Sequence, residues 1–228
     1  MEGNGGCWCD CLFYDLFIAR YQDRAFACVK EILDRGSVVL DVGCGTGRLA
    51  CQLLDKCERV EIIDSSEEKI GVARCKLAGV PREKLTIECA DVVSFVRTTY
   101  NHFDFAVVSY ATHQLGEEER DVLLWGLSAV ADKIVIIDHL VPQPRNYCGI
   151  LFRLYEYGQE YIHYRNFRSF VKGGGIQGVL EKVPLRILND IKDYTSLTQV
   201  FVVEGKTRGR RASRPIHQLS DPASSLKF

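Results

Sequence analysis

Short apolar runs, most of them rich in β-branched residues, alternate along the chain with longer segments in which apolar residues recur at helical spacing. The apolar runs predict five strands, at residues 38–40, 60–63, 85–88, 105–108 and 133–137. The segments between them predict helices at residues 49–54, 66–77 and 117–130. Strands that alternate with helices indicate βαβ units, so the fold class is α/β with a parallel sheet and right-handed crossovers.

The regions outside this alternating pattern define the domain organisation. Residues 12–35 carry apolar residues at helical spacing, so a helix precedes the first strand. We divide the chain into an N-terminal helical cap at residues 1–35, a main domain at 36–205 and a tail at 206–228. The tail holds six basic residues and one acidic residue with almost no periodic apolar positions, which is typical of a disordered segment.

The last third of the main domain departs from the alternating pattern. Residues 185–188 and 199–203 predict two closing strands separated by the polar stretch 189–198, and this spacing suits an antiparallel pair at a sheet edge. Before them, residues 142–178 form an insertion that contains three consecutive glycines. The insertion is rich in aromatic residues, namely Tyr147, Phe152, Tyr155, Tyr157, Tyr161, Tyr164, Phe167 and Phe170.

Composition and charge narrow the class of protein. The chain has 228 residues, with 29 basic and 30 acidic side chains and a net charge of -1, so bulk charge identifies no polyanionic partner. No apolar run reaches the ~20 residues that span a bilayer. The N-terminus lacks the basic and apolar regions of a signal peptide. We therefore expect a cytoplasmic protein without a membrane span.

The chain has 10 cysteines, and their spacing does not predict a disulfide framework. Five lie singly in apolar or helical stretches and are expected to be mostly reduced core thiols: Cys28, Cys51, Cys57, Cys75 and Cys89. A separate Cys-x-Cys-x-Cys cluster is formed by Cys7, Cys9 and Cys11. This cluster suits either a soft-metal or redox site or a terminus that is merely rich in cysteine.

The segment 38–48 carries the first signal of chemistry. A buried strand leads through Asp41 into a loop with glycine at positions 43, 45 and 47. The loop follows the carboxyl end of the first strand, where open α/β sheets bind ligands. Its spacing, with Arg48 directly after the third glycine, departs from the dinucleotide fingerprint, and the Gly-Lys-Ser/Thr of a P-loop is absent.

Two further carboxylates follow the second and third predicted strands. Asp64, at the tip of the second strand, can accept hydrogen bonds from both hydroxyls of a ribose. The alternative is that Asp64 only begins the next helix, which Ser65 caps with Glu68 completing a capping box. Asp91 follows the third strand and can accept a hydrogen bond from an exocyclic amine.

These features resemble the class I S-adenosylmethionine-dependent methyltransferases. The resemblance depends on residues 40–47, on Asp64, on Ala90-Asp91 and on residues 103–109, which occur in the family's order and spacing. It covers roughly residues 36–140. It implies a Rossmann-like, seven-stranded, mostly parallel sheet with helices on both faces and an antiparallel last strand, which agrees with the closing pair predicted above.

The resemblance also implies S-adenosylmethionine as the cofactor and assigns residues to it. Glycines 43, 45 and 47 would line its methionine end, and Asp64 would hold the ribose. Asp91 with Val92 would hold the adenine. Asp41 would organise the loop and bind the methionine ammonium, helped by the carbonyl of Ser109. The complete predicted set is Asp41, Gly43, Cys44, Gly45, Gly47, Asp64, Ser65, Asp91, Val92 and Ser109.

The sulfonium methyl group of this cofactor is already electrophilic, so the protein mainly has to align a nucleophile and exclude water. A general base is needed only when the acceptor arrives protonated. Candidate bases are Tyr110 and His113, after the fourth strand, and His139, after the fifth. His163 and Tyr164 in the aromatic insertion are further candidates. Each histidine also has a plainer interpretation as a surface or capping residue.

The expected partner is a small-molecule or lipid-like methyl acceptor, because the insertion at 142–178 resembles the substrate lid of small-molecule methyltransferases. Its aromatic residues suit an apolar or cationic acceptor, although most of them can equally be packing residues. No metal site is expected, since no acidic cluster follows the fifth strand. Two alternatives stay open: a protein or RNA methyltransferase that uses the basic tail, and a non-catalytic methyltransferase-like scaffold.

Overall fold

The computed structural model of the chain describes residues 19–143, 161–193 and 197–205. Four predictions lie outside these residues, wholly or in part. They are the cysteine cluster at positions 7, 9 and 11, the first part of the N-terminal helix predicted at 12–35, the tail at 206–228, and the first half of the aromatic insertion.

The described residues form a seven-stranded sheet. Its strands are β1 (Val38–Val42), β2 (Arg59–Asp64), β3 (Leu85–Cys89), β4 (Phe103–Ser109), β5 (Ala131–His139), β6 (Leu185–Asp193) and β7 (Thr198–Gly205). They lie side by side in the order β3-β2-β1-β4-β5-β7-β6. The first five are parallel, and β7 runs antiparallel to both of its neighbours. The predicted topology, including the antiparallel closing strand, is therefore confirmed.

Helices cover both faces of the sheet. They are α1 (Ala19–Ile32), α2 (Arg48–Leu53), α3 (Glu67–Lys76), α4 (Val92–Thr98), α5 (Glu117–Val130), α6 (Tyr161–Lys172) and α7 (Gly175–Leu180). A single 3-10 turn at Thr112–Gln114 follows β4. The helices predicted at 49–54, 66–77 and 117–130 are present within a residue or two. Helix α4 was not predicted.

Two apolar layers hold the sheet between the helices. On one face, Phe26 and Val29 of α1 pack with residues of α2 and α3 against side chains such as Val39. On the other face, α4, α5, α6 and α7 pack against residues such as Leu40 and Val108. Because neighbouring residues of β1 enter opposite layers, its unbroken apolar run reflects a strand that is buried on both faces.

The sheet register brings the carboxyl ends of the parallel strands to one edge. Val42 pairs with Ile63 on one side and with Val108 on the other. β7 enters this edge from the opposite direction, so that its first residue, Thr198, pairs with His139 at the end of β5. The loops that follow β1, β2, β3, β4 and β5 therefore meet at this edge, where ligands bind in open α/β sheets.

Three local expectations were wrong. The polar stretch after residue 188 continues β6 to Asp193, because this strand lies at the sheet edge and tolerates polar side chains on its exposed faces. Helix α3 is capped by Ser66 rather than Ser65, since the Ser66 hydroxyl accepts the Lys69 N–H. Of the cysteines expected in the core, Cys51 and Cys75 are exposed.

The described cysteines are all free thiols, in agreement with the absence of a disulfide framework in this part of the chain. Within the described ranges, no helix has the length and apolar character needed to cross a membrane.

Candidate functional site

The glycine loop after β1 is fastened to the neighbouring strand. The N–H groups of Gly43 and Cys44 both donate to the carbonyl of Ile63, at 2.8 and 3.0 Å. Gly47 has a φ of 74°, and a Cβ atom at this position would lie 2.9 Å from the Leu77 side chain. Gly45 also has a positive φ, of 55°, but its Cβ position has open space for 4 Å. A glycine is thus needed at position 47 because the Leu77 side chain packs against it, whereas the space next to Gly45 is open.

Asp64 connects the glycine loop to helix α3. One carboxylate oxygen accepts the Gly45 N–H and the other accepts the Ser66 N–H, each at 2.9 Å. The side chain is largely buried and lines a groove at the carboxyl edge of the sheet. Asp64 therefore fixes the shape of the loop and also faces the space where a ligand can bind.

The groove runs across the ends of β1, β2, β3 and β4. Of the predicted site residues, it is lined by Gly43, Asp64, Ser65, Asp91, Val92 and Tyr110. The sequence analysis missed Ser66, Lys69, Ala111, Gln114 and Leu115, which also line it. In the sequence, Lys69 could have been recognised from its position one helical turn after Ser66, the residue that caps α3. Gln114 is fixed by a 2.9 Å hydrogen bond from its side chain to the Tyr110 carbonyl.

Asp91 has a structural role as well as a place in the groove. Its carboxylate caps helix α4 by accepting the Ser94 N–H at 2.9 Å and the Ser94 hydroxyl at 3.0 Å. The role in binding an exocyclic amine stays a prediction. Cys44 is buried within the loop, and Ser109 is the last residue of β4.

Asp41 lies beneath the loop and is completely buried. Neither of its carboxylate oxygens has a hydrogen-bond partner within the described part of the chain. Burial, followed by the negative charge of Asp64, raises the pKa of Asp41 from 3.8 to about 7. Buried acids are normally hydrogen-bonded or paired, so an unpartnered carboxyl group here indicates a place prepared for a positively charged or hydrogen-donating ligand.

The second half of the site is a cluster built around Asp138 at the end of β5. The Nδ1 atom of His113 lies 2.6 Å from one carboxylate oxygen, and the backbone N–H of His113 donates to the other at 3.0 Å. The backbone N–H of His139 donates to the first oxygen at 2.8 Å. The side chains of His113 and Asp138 are only 4% and 0% exposed. Burial alone would raise the pKa of Asp138, but the charge and hydrogen bond of His113 lower it overall.

Two further histidines complete what we call the histidine cluster, formed by His113, Asp138, His139 and His163. The ring of His113 lies 4.6 Å from that of His139 and 5.5 Å from that of His163 on α6, measured between centroids. Burial, followed by the charge of His113, lowers the pKa of His139 from 6.5 to about 3. His139 is therefore neutral at neutral pH.

Tyr110 joins the histidine cluster to the groove. Its ring lies 5.3 Å from the His139 ring, and it also lines the groove. Its hydroxyl shares a 2.8 Å hydrogen bond with the Thr198 hydroxyl at the start of β7. The backbone of Tyr110 has a φ of 52°, an uncommon conformation for an aromatic residue that is often found where function fixes a side chain.

Four of the five predicted catalytic residues thus lie together: Tyr110, His113, His139 and His163. The fifth, Tyr164, lies beside Arg168 in a separate cleft between helices. The sequence analysis missed Asp138, although it is an acidic residue directly before His139 at the end of a buried strand.

His113, Asp138 and His139 also offer three metal ligands within 4.8 Å of one another. However, the Asp138 oxygens already accept the two backbone N–H groups and contact the His113 ring.

The known proteins that this chain resembles are methyltransferases. Residues 39–132 match the family model described as a methyltransferase domain. An uncharacterized methyltransferase of Geobacillus sp. strain WCH70 is 33% identical over 142 residues, which cover 58% of this chain and 63% of that protein. One from Staphylococcus carnosus strain TM300 is 27% identical over 136 residues, which cover 58% of this chain and 56% of that protein. The chain thus spans only 56% to 63% of the length of these curated relatives.

Solved structures share the whole fold at low sequence identity. The N-methyltransferase NodS from Bradyrhizobium japonicum WM9, in complex with S-adenosyl-L-homocysteine, superimposes with a TM-score of 0.59 at 15% identity, covering 90% of this chain and 94% of that one. Magnesium protoporphyrin IX methyltransferase from Synechocystis PCC 6803 gives 0.58 at 16% identity, covering 90% of each chain. Residues 39–132 thus match a methyltransferase domain, and the seven-stranded sheet is the fold that the chain shares with these solved methyltransferases.

Proposed function

We propose that the protein transfers a methyl group from S-adenosylmethionine to a small-molecule acceptor from which His113, oriented by Asp138, removes a proton. The observation that carries this proposal is the buried His113–Asp138 pair, with a 2.6 Å contact between Nδ1 and the carboxylate, next to the groove formed by the glycine loop. A carboxylate that orients a histidine is a recurrent arrangement for proton transfer.

The residues around the glycine loop fit the cofactor. The carboxyl group of Asp41, buried and without a hydrogen-bond partner in the described structure, would accept the ammonium group of the methionine moiety. The positive charge of that group would favour the ionised carboxylate and relieve the cost of burying it. When bound, the cofactor supplies an electrophilic methyl group on a sulfonium centre.

The nucleoside half of the cofactor would lie along the groove. Each oxygen of Asp64 accepts one backbone N–H, and a carboxylate oxygen has capacity for a second donor. Asp64 can therefore accept ribose hydroxyls without releasing the loop. Asp91 and Val92, at the start of α4, would contact the adenine edge, with Val92 providing apolar surface.

The hydrogen bonds of Asp138 determine which nitrogen of His113 accepts the proton. Because the pKa of Asp138 is lowered, its carboxylate is ionised at neutral pH and can only accept hydrogen bonds. The Nδ1 atom of His113 therefore carries a proton, and Nε2 is the basic nitrogen. After proton transfer, the imidazolium would be stabilised by the same carboxylate.

The chemistry of the cluster suits an acceptor with an ionisable proton on oxygen, nitrogen or sulfur. Phe167 and Phe170 lie with their ring centroids 6.0 and 6.3 Å from that of His113, so an apolar wall from α6 closes this side of the cluster. The names of structural neighbours, such as mitomycin 7-O-methyltransferase and magnesium protoporphyrin IX methyltransferase, also give small-molecule acceptors. We therefore propose that α6 belongs to the lid that selects the acceptor.

The test is to incubate the protein with metabolite extracts and methyl-labelled cofactor and to identify labelled products by mass spectrometry. With an acceptor identified, we expect His113→Gln and Asp138→Asn to lower turnover by about 10²–10⁴-fold. Cofactor affinity, measured by calorimetry, should stay within a few-fold. Turnover of both variants should partly recover as pH rises, because the acceptor then loses its proton without help.

His102 provides a matched control, because its Nε2 lies 3.0 Å from Asp132 in an exposed pair far from the groove. His102→Gln should leave turnover unchanged. Full turnover in His113→Gln would refute the proton-transfer role. Loss of activity on dialysis against a chelator, restored by a divalent metal, would assign the cluster to metal binding instead. Cofactor binding without transfer to any acceptor would favour the scaffold alternative.

A further inference from the structure

A cleft of about 600 Å³ lies between helices α5, α6 and α7. Its lining includes Tyr164, which packs against Arg168, and the described residues that line it include none of the four residues of the histidine cluster. A volume of this size is typical of pockets that hold a small organic ligand. The cleft is therefore a second concave site that the proposed methyl transfer does not use.

At the floor of this cleft lies a buried positive charge. Arg120 is only 3% exposed. Its guanidinium donates to the carbonyl of Thr112 at 3.0 Å and to that of Asn166 at 2.7 Å, and it stacks 5.4 Å from the Phe170 ring centroid. In the described residues no carboxylate forms an ion pair with it within 4.0 Å. Burial lowers the pKa of Arg120, and the negative charges of Asp138 and Glu117 offset this only in part, without forming an ion pair.

The rim of the cleft adds further positive charge. Arg165, Arg168 and Lys172 line the cleft from α6, where the spacing of three and four residues places them along one face of the helix. None of these three forms an ion pair with a described residue. The described lining contains two acidic residues, Glu117 and Asp121. Glu117 forms an ion pair with Lys182, whereas Asp121 forms none with a described residue. Positive charge thus clearly exceeds negative charge around the cleft.

We propose that this cleft binds the phosphate group of a phosphorylated small molecule. Several converging cations match a doubly charged phosphate monoester better than a singly charged carboxylate. The fork of a guanidinium can bind two phosphate oxygens at once. The volume beyond the phosphate, bordered by the ring of Tyr164, would hold the organic part of the ligand. This inference does not depend on the proposed methyl transfer.

Inorganic phosphate serves as the probe, titrated into the full chain at low ionic strength and followed by calorimetry or by phosphorus NMR. We expect saturable binding that weakens as salt is added. The exposed pair Arg168→Ala/Lys172→Ala should weaken it by about tenfold or more, as expected for the loss of two charge-assisted contacts. Arg186→Ala removes an exposed arginine on β6 that pairs with Glu204, and this control should bind normally.

Two further measurements complete the test. Arg120→Lys keeps the buried positive charge but removes the forked guanidinium group, so it should also weaken phosphate binding. If this variant fails to fold, the Arg168→Ala/Lys172→Ala variant still tests the proposal. Vesicles of phosphatidylcholine with and without phosphatidate distinguish the two sources of phosphate. Binding of phosphate alone assigns a soluble metabolite, and cleft-dependent binding of phosphatidate vesicles assigns a lipid headgroup. Absence of phosphate binding, or equal binding by the Arg168→Ala/Lys172→Ala variant, would overturn the proposal.

Discussion

Replacing Asp41 by asparagine should stabilise the ligand-free protein while weakening its affinity for S-adenosylmethionine. The side chain is fully buried, and its oxygens have no hydrogen-bond partner in the described structure. Ionisation is therefore costly in the folded state, which raises its pKa from 3.8 to about 7. Asparagine has nearly the same shape and cannot ionise. The substitution thus removes the buried charge and also the group that we propose as the acceptor for the methionine ammonium.

The size and sign of the effect follow from proton linkage. Between pH 3.8 and about 7 the folded state keeps a proton on Asp41 that the unfolded chain has released. The free energy of unfolding contributed by this group therefore falls as pH rises through that range and is constant above it. Each pKa unit is worth ~1.4 kcal/mol, so the total is on the order of 4 kcal/mol. Asp41→Asn should match the wild type near pH 4 and exceed its stability by up to this amount at pH 8.

Chemical denaturation at several pH values measures this difference directly, and calorimetry with the cofactor measures the loss of affinity. Comparing variant with wild type cancels the titration of all other groups. Asp64→Asn is a suitable contrast, because the Asp64 oxygens accept the N–H groups of Gly45 and Ser66 and its loss should destabilise the loop. A stability difference for Asp41→Asn that does not vary with pH would refute the reasoning.

Other substitutions test packing and protonation elsewhere in the fold. Gly45→Ala has open space for the Cβ but a positive φ, so it should cost only the backbone strain of about 1–2 kcal/mol of unfolding free energy. Gly47→Ala adds a contact of 2.9 Å with the Leu77 side chain to the same strain and should cost more, about 2–4 kcal/mol. Gly126→Ala would bring a Cβ within 2.4 Å of Val96, so thermal denaturation should show a loss that Val96→Ala partly restores. Because the pKa of His139 is lowered to about 3, its contribution to stability is lost as pH falls below 6.5, and His139→Asn should flatten that part of the stability curve.

The parallel half of the fold could be predicted from the sequence because its signals are local. Buried parallel strands appear as short β-branched runs, and the glycine loop has a restricted spacing. Helix α4 (Val92–Thr98) escaped because its sequence, Val-Val-Ser-Phe-Val, has the composition of a strand. Its helical start depends on the cap by Asp91, a residue that the sequence analysis assigned to ligand binding. The same carboxylate can serve both purposes, and only the structure shows the first.

The histidine cluster was only partly predictable, for a different reason. His113 and His139 could be proposed because they follow neighbouring strands, whose ends meet at one edge of a parallel sheet. The partnership of His113 with Asp138 depends on the 3-10 turn Thr112–Gln114, which turns the imidazole towards the end of β5. Nothing in the local sequence indicates that turn. The position of Tyr164 in the cleft beside Arg168, and not in the histidine cluster, likewise required the orientation of the helix.

The two halves of the site come from different parts of the chain. The groove at the glycine loop and His113 lie within residues 39–132, the part that matches the methyltransferase family model. Asp138 and helix α6 follow that part. They are connected to it by Arg120, which binds the carbonyls of both Thr112 and Asn166, and by Asn166, whose amide donates to the Gln114 carbonyl at 2.7 Å. Because these bonds fix the His113 turn against α6, acceptor choice should depend on α6 and the end of β5, whereas cofactor binding should depend on the matched region.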